Sequence, residues 1–175
     1  RTPTIDRLAS EGVELLQHYV CPMCTPTRTS LLSGRHPGRF GAHATIPSNA
    51  PVLPDGYQTL AALLRDSGYH TGLFGKWHLN YSPKGAGIDD WAVLDDQGKY
   101  YNPDIITPEG RDVVQGYATD LVTDRSLAWL DARVDSEKPF ALLIHHKAPH
   151  RNFMPALRHV QKYIGTEFPV PTNYF

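Results

Sequence analysis

Apolar positions along the chain alternate between a helical period and short extended runs. In "TPTIDRLASEG", Ile5, Leu8 and Ala9 fall at helical spacing behind Thr4, a suitable N-cap, and Gly12 is a stop, so a short helix is predicted. "VELLQHYV", residues 13–20, then reads as a strand. The unit returns in "QTLAALLRDSGYHTGLFGKWH". There Leu60, Ala61, Leu63 and Leu64 predict a helix ending at Ser67-Gly68, and Tyr69 to Phe74 predicts a strand. A third copy is "ATDLVTDRSLAWLDARV", with Leu121, Val122, Leu127, Leu130 and Val134 on one stripe, followed after Lys138-Pro139 by the buried strand "FALLIHH". Three helix-then-strand units imply an α/β fold, with a mainly parallel sheet flanked by helices. Tyr81 to Gly116 is rich in Gly, Pro, Asp and Tyr without a sustained period, and reads as a long irregular loop.

Composition narrows the function classes. The 175 residues, 41% hydrophobic and 20% charged, suffice for one domain with one core. Lys plus Arg number 17 against 18 Asp plus Glu, so no basic field exists for nucleic acid, which is excluded as an expected partner. No apolar run approaches the roughly 18 to 20 residues of a membrane span. The chain opens without Met and stops after a proline-punctuated stretch, so it reads as a piece of a longer one. A signal peptide is therefore neither claimed nor excluded.

The chemistry concentrates in "CPMCTPTRTSLLSGR". With Thr25-Pro26 in a first helical turn, Cys24 sits at a helix N-terminus and Arg28 lies one turn further on the same face. Backbone N–H groups, the positive dipole end and a guanidinium then surround the thiol, which is an anion-binding arrangement. Two plainer readings compete: a redox or zinc pair made of Cys21 and Cys24, or an ordinary buried thiol. A zinc site lacks a second Cys/His pair nearby, and a redox motif has no need of the arginine.

"CTPTRTSLLSGR" resembles the signature of the type I, formylglycine-dependent sulfatases: C-x-P-x-R, then a hydrophobic pair and Gly-Arg. Ser33 stands where that family more often carries Thr. "GYHTGLFGKWHLN" resembles the second family signature, with Lys76 and His78 two apart at a strand end so that both side chains point to one face, and "HHKAPHRNFMP" the third, a Pro-His pair beyond a buried strand. Read singly, His145 and His146 are core or tautomer-locked histidines rather than catalysts. The resemblance runs from Thr2 to Phe175, in family order, and implies part of the alkaline-phosphatase-like sulfatase fold. Residues 1–175 would be part of the N-terminal catalytic domain, lacking its first strand and its C-terminal portion.

The resemblance also implies a mechanism. Cys24, oxidised by a formylglycine-generating maturation enzyme, would act as a gem-diol nucleophile on a sulfate ester. Arg28 would hold the diol, Lys76 bridge it to a sulfate oxygen, His78 serve as base and His150 bind sulfate near the leaving oxygen. The expected calcium ion departs from the pattern here: of its ligands only the modified Cys24 is present, the others lying upstream of "TPTIDRL" and beyond the last residue. Asp89, Asp90, Asp95 and Asp96 are not recruited in their place. The implied substrate is a sulfated glycan, 6-O-sulfated N-acetylglucosamine first, with Arg151 and Asn152 as sugar contacts or loop anchors, and Trp91, Tyr100 and Tyr101 as stacking or packing aromatics. The implied location is periplasmic or secreted. Alternatives are a phosphonate or phosphodiester hydrolase of the same superfamily, and a non-catalytic C-x-x-C module in which Arg28, Lys76 and His78 are dispensable.

Overall fold

Two of the three helix-then-strand units form as the apolar pattern predicts. A computed structural model describes residues 2–42 and 52–174. In chain order the elements are α1 (Pro3–Glu11), α2 (Cys24–Ser33), α3 (Leu60–Asp66), β1 (His70–Lys76), β2 (Asp90–Leu94), β3 (Asp104–Thr107), β4 (Gly110–Val113), α4 (Ala118–Asp131) and β5 (Phe140–His145). The sheet order is β4-β3-β2-β1-β5. Its centre is parallel, β1 pairing with both β2 and β5, while β3 and β4 add antiparallel strands at one side. The sheet is thus mixed, parallel where helices cover it.

At the centre, β1 is buried on both faces, whereas β5 is only partly covered, with Phe140 and Ile144 exposed. Leu73 packs toward Leu32 of α2 and Ala61 of α3, whereas its neighbour Phe74 packs toward Val122 and Trp129 of α4. Alternation along β1 therefore divides the core into two layers, as a parallel sheet between helices requires. Local caps agree: Thr59 accepts from the Ala62 amide at the start of α3, and Gly34 closes α2 in the left-handed region at φ 64°.

Three expectations fail for identifiable reasons. Residues 13–20 form no strand, and Val13, Leu16 and Tyr19 are more than four-fifths exposed. Among the described residues nothing pairs with them, and an extended segment without a ladder partner has no reason to be a strand. The stretch 81–116 is not irregular throughout but contains β2, β3 and β4; strands of four or five residues are too short to show a period. In α4 the buried row is Ala118, Val122, Ser126 and Trp129, while Leu127 and Val134 are exposed. Ser126 is accommodated because its hydroxyl donates to the Val122 carbonyl, and Trp129 lies against Gly72, where a Cβ would come within 2.8 Å of the indole.

Candidate active site

The C-terminal ends of β2, β1 and β5 lie side by side, and α2 begins beside them. Brought there are Cys24 at the first position of α2, Arg28 one turn on, Lys76 at the end of β1, and His78 just beyond it. Open α/β sheets bind ligands at this edge. Gly75 makes the convergence possible. Its φ is 109°, and a Cβ there would lie 2.1 Å from the carbonyl oxygen of His145, its register partner on β5. Only glycine permits the two strands to approach so closely.

The contacts form one connected group. Cys24 Sγ lies 3.1 Å from His78 Nδ1, and Thr25 Oγ1 lies 3.4 Å from the same atom. Arg28 Nη1 donates to the Lys76 carbonyl at 2.5 Å and to His145 Nδ1 at 3.0 Å. Lys76 Nζ donates to Gln97 Oε1 at 2.5 Å, and the Gln97 amide nitrogen lies 2.7 Å from His78 Nε2. Asp96 Oδ1 stands 3.4 Å from His78 Nε2, and Lys147 Nζ donates to the Gln97 carbonyl at 3.0 Å. His78 does not reach this group by strand alternation with Lys76: β1 ends at Lys76, and a left-handed residue, φ 52° at His78, turns the ring inward.

The group is cationic and poorly hydrated. Burial holds Lys76 below the ordinary lysine value despite the opposing influence of Cys24, and burial likewise lowers Arg28. His78 is pushed down by burial and by the Lys76 charge, against the pull of Asp96. His145 falls furthest, to about 4, through burial and the adjacent Arg28, only partly opposed by the Lys76 carbonyl. A neutral His145 is therefore an acceptor for the guanidinium, which fits its locked-tautomer reading. Arg28 and Lys76, the two cations that act on the thiol, make a receptor for an anion.

The remaining sequence-predicted residues are placed less centrally. His150 follows β5; its Nδ1 donates to the Arg151 carbonyl at 2.9 Å, and its charge acts on His78. Arg151 and Asn152 are exposed, and Asn152 lines a cavity of about 270 Å³ with Lys99, Tyr100, Tyr101 and Lys147. Tyr100 is buried, and its hydroxyl donates to the His150 carbonyl; Tyr101 and Tyr117 donate to the carbonyls of Pro155 and Met154. These tyrosines pin the loop after β5, so Tyr100 packs and does not offer a face for stacking. Trp91 is half-buried against the α2/α3 layer.

Gln97, Lys147 and Asp96 also belong to the group; the sequence does not mark the first two, and it sets Asp96 aside only as a metal ligand. Nothing in "VLDDQGKYY" or "HHKAPH" marks them, because their position depends on how the turn after β2 meets β5. The other acidic candidates are held by structural partners: Asp89 by the amide and hydroxyl of Thr71, Asp90 by His70, Trp129 and Arg133, and Asp95 by Arg111. Among the described residues no group of three or more His, Cys, Asp or Glu is arranged to hold a metal ion. These residues thus do not by themselves fit a calcium site. Cys21 and Cys24 are not joined by a disulfide.

Comparison with known proteins agrees with this geometry. Residues 1–172 match the family model described as Sulfatase. An N-acetylglucosamine-6-O-sulfatase of Bacteroides thetaiotaomicron is 40% identical over 180 residues, covering all of this chain and 31% of its own length. The solved structure of BT4656 in complex with its substrate D-glucosamine-2-N,6-O-disulfate superposes with a TM-score of 0.86 at 40% identity, over 98% of this chain and 34% of that one. A structure of Ps i-CgsB with k-i-k-neocarrahexaose, 23% identical, shares the fold with a TM-score of 0.85 over 95% of this chain and 44% of that one. The chain thus spans about a third of the length of the curated relative it matches throughout. With the thiol at the head of α2, its arginine one turn on and the Lys-Trp-His turn beyond β1 all at one sheet edge, and with the family model matched along nearly the whole chain, these residues belong to the sulfatase family.

Proposed function

We propose that the protein containing this chain is a sulfuric ester hydrolase that removes sulfate from sulfated glycans, 6-O-sulfated N-acetylglucosamine foremost. The observation that carries the reading is Cys24 Sγ at 3.1 Å from His78 Nδ1, beside two cations, the half-buried Arg28 and the buried Lys76. In the matured enzyme the nucleophilic oxygen would stand where this sulfur is. Formylglycine made from Cys24 supplies, as a hydrated aldehyde, the oxygen nucleophile that a thiol is not. Arg28 screens negative charge at residue 24, and Lys76, two atoms of which are already committed to the site's frame, presents its ammonium to a sulfate oxygen. His78 moves a proton at Nδ1, the atom facing residue 24. His150, whose charge acts on His78, would meet the sulfate near its leaving oxygen. Asn152, which lines the cavity beside Tyr100 and Lys147, and the exposed Arg151 would contact the sugar.

The substrate class is supported by the relatives: one is named as an N-acetylglucosamine-6-O-sulfatase, and another is solved with a 6-O-sulfated glucosamine. A periplasmic or secreted location, a formylglycine-generating maturation partner and a calcium ion held largely by residues outside this chain complete the reading. No helix among the described residues is long and apolar enough to cross a membrane.

The test is maturation and turnover in the full-length protein expressed with a maturation enzyme. Peptide mass spectrometry is expected to show CH2SH replaced by CHO at Cys24 and not at Cys21. The same protein is expected to release sulfate from N-acetylglucosamine-6-sulfate and to leave a phosphodiester of comparable size largely intact. An active enzyme with unmodified Cys24, or faster phosphodiester cleavage, would overturn the reading.

A further inference from the structure

The Gln97 side chain touches two members of the site at once, and the chemistry of its amide constrains both. A lysine ammonium can only donate, so the oxygen of the amide must face Lys76, at 2.5 Å. The amide NH2 then faces His78 Nε2 at 2.7 Å, and an amide nitrogen can only donate. His78 Nε2 must therefore carry a lone pair, and the proton of the neutral ring sits on Nδ1. Nδ1 is the atom that faces residue 24 at 3.1 Å and Thr25 at 3.4 Å.

In that tautomer His78 donates toward residue 24 and cannot accept a proton from it. The base role of the proposed function needs the opposite form, with the proton on Nε2. An acceptor must then stand at Nε2. Asp96 Oδ1 lies there at 3.4 Å, and Gln97 Oε1 would serve if the amide turned over. The amide cannot turn while Lys76 holds its oxygen, because Lys76 would then face an NH2. Its backbone is meanwhile fixed by the Lys147 ammonium on the Gln97 carbonyl at 3.0 Å, so rotation about the side chain is the available motion.

We propose that Gln97 is a positioning residue that couples Lys76 to the tautomer of His78. When an anion in the pocket draws Lys76 away, Oε1 is released, the amide rotates, and Oε1 accepts from His78 Nε2–H. One proton passes from Nδ1 to water and one from water to Nε2, with no change in ring charge. His78 then presents a lone pair to residue 24 only when an anion is bound. The catalytic meaning of this coupling rests on the proposed sulfatase reading; the coupling itself does not.

The experiment is 15N NMR of the histidine-labelled full-length protein, with inorganic sulfate as the anion, for wild type, Gln97→Met and Gln97→Glu. Circular dichroism confirms that each variant is folded. Wild type is expected to hold His78 protonated at Nδ1 without sulfate and at Nε2 with saturating sulfate. Gln97→Glu, whose carboxylate accepts from both neighbours, should hold the Nε2–H form without sulfate. Gln97→Met, with neither contact, should lose the sulfate-dependent change. In turnover the two variants should also differ in kind: Gln97→Met lowers kcat about tenfold or more, as loss of an oriented base does, whereas Gln97→Glu, which retains Lys76 as an ion pair, raises KM. Nε2–H in sulfate-free wild type, or a sulfate-dependent change that survives in Gln97→Met, overturns the coupling. Absence of sulfatase turnover in a wild type that shows the tautomer change would instead overturn the functional reading and leave the coupling standing.

Discussion

Arg28 spends one nitrogen on two strands, donating from Nη1 to the Lys76 carbonyl at the end of β1 and to His145 Nδ1 at the end of β5. A lysine at that position would reach with a point charge in place of a planar fork. Arg28→Lys is therefore expected to cost about 1–3 kcal/mol of stability, measured by denaturant unfolding, as well as most of the activity. His145 makes a second expectation possible. Its imidazole is held down at about 4 in the folded protein, against about 6.5 when unfolded. Below the unfolded value the unfolded chain takes up a proton that the folded chain refuses. The stabilisation is thus complete above about pH 6.5 and is lost as pH falls toward about 4, amounting to about 3 kcal/mol. Unfolding at pH 7.5 and 4.5 should show this loss, and His145→Asn, which keeps an acceptor for Arg28 but does not titrate, should reduce it. An unchanged pH slope in that variant would mean other groups carry the effect.

At the scale of elements, the site depends on how closely two strands approach. Gly75 faces the His145 backbone across the β1–β5 ladder with no room for a Cβ. Gly75→Ala is expected to destabilise by about 2–4 kcal/mol and to displace Lys76, the next residue, so that melting temperature and kcat fall together. Helix α4 offers the contrast. Leu127 lies outside its buried row and is half exposed, so Leu127→Lys should leave stability within about 0.5 kcal/mol. A large loss there would show that the face of α4 now open is covered in the full-length protein. Sequence placed the start of α2 correctly because it is set locally, by Thr25-Pro26, whereas β1 runs two residues past the expected Phe74, to Lys76. It placed the packed face of α4 wrongly, because Ser126 hides its hydroxyl on Val122 and Trp129 needs the space over Gly72.

For the molecule as a whole, the deciding quantity is the ligand count of the metal. Among the described residues no cluster of His, Cys, Asp or Glu could hold an ion, whereas calcium takes about six to eight oxygens. A polypeptide of residues 1–175 alone, with Cys24 matured, is expected to show no turnover of N-acetylglucosamine-6-sulfate, and millimolar calcium should leave its melting temperature unchanged. The full-length protein should respond to calcium in both assays. Comparable rates from the two would show that these residues already hold what the reaction needs.

The chain's own sequence determined that Cys24 begins a helix, that Arg28 follows on its face, and that two helix-strand units build a sheet between helices. Each of these follows from contacts within a few residues: a first-turn proline, a repeat of three to four positions, an apolar run ended by glycine. Tertiary structure alone decided the rest. Residues 13–20 have the composition of a strand, but a strand exists only with a neighbour to pair with, and none of the described residues supplies one. Gln97 and Lys147, 50 residues apart, meet because β2 and β5 flank β1 in parallel, so that their C-terminal turns emerge at one edge. In the proposed coupling, the nitrogen of His78 that carries the proton likewise depends on a residue outside its own segment, Gln97 on the turn after β2, which Lys76 on β1 also contacts.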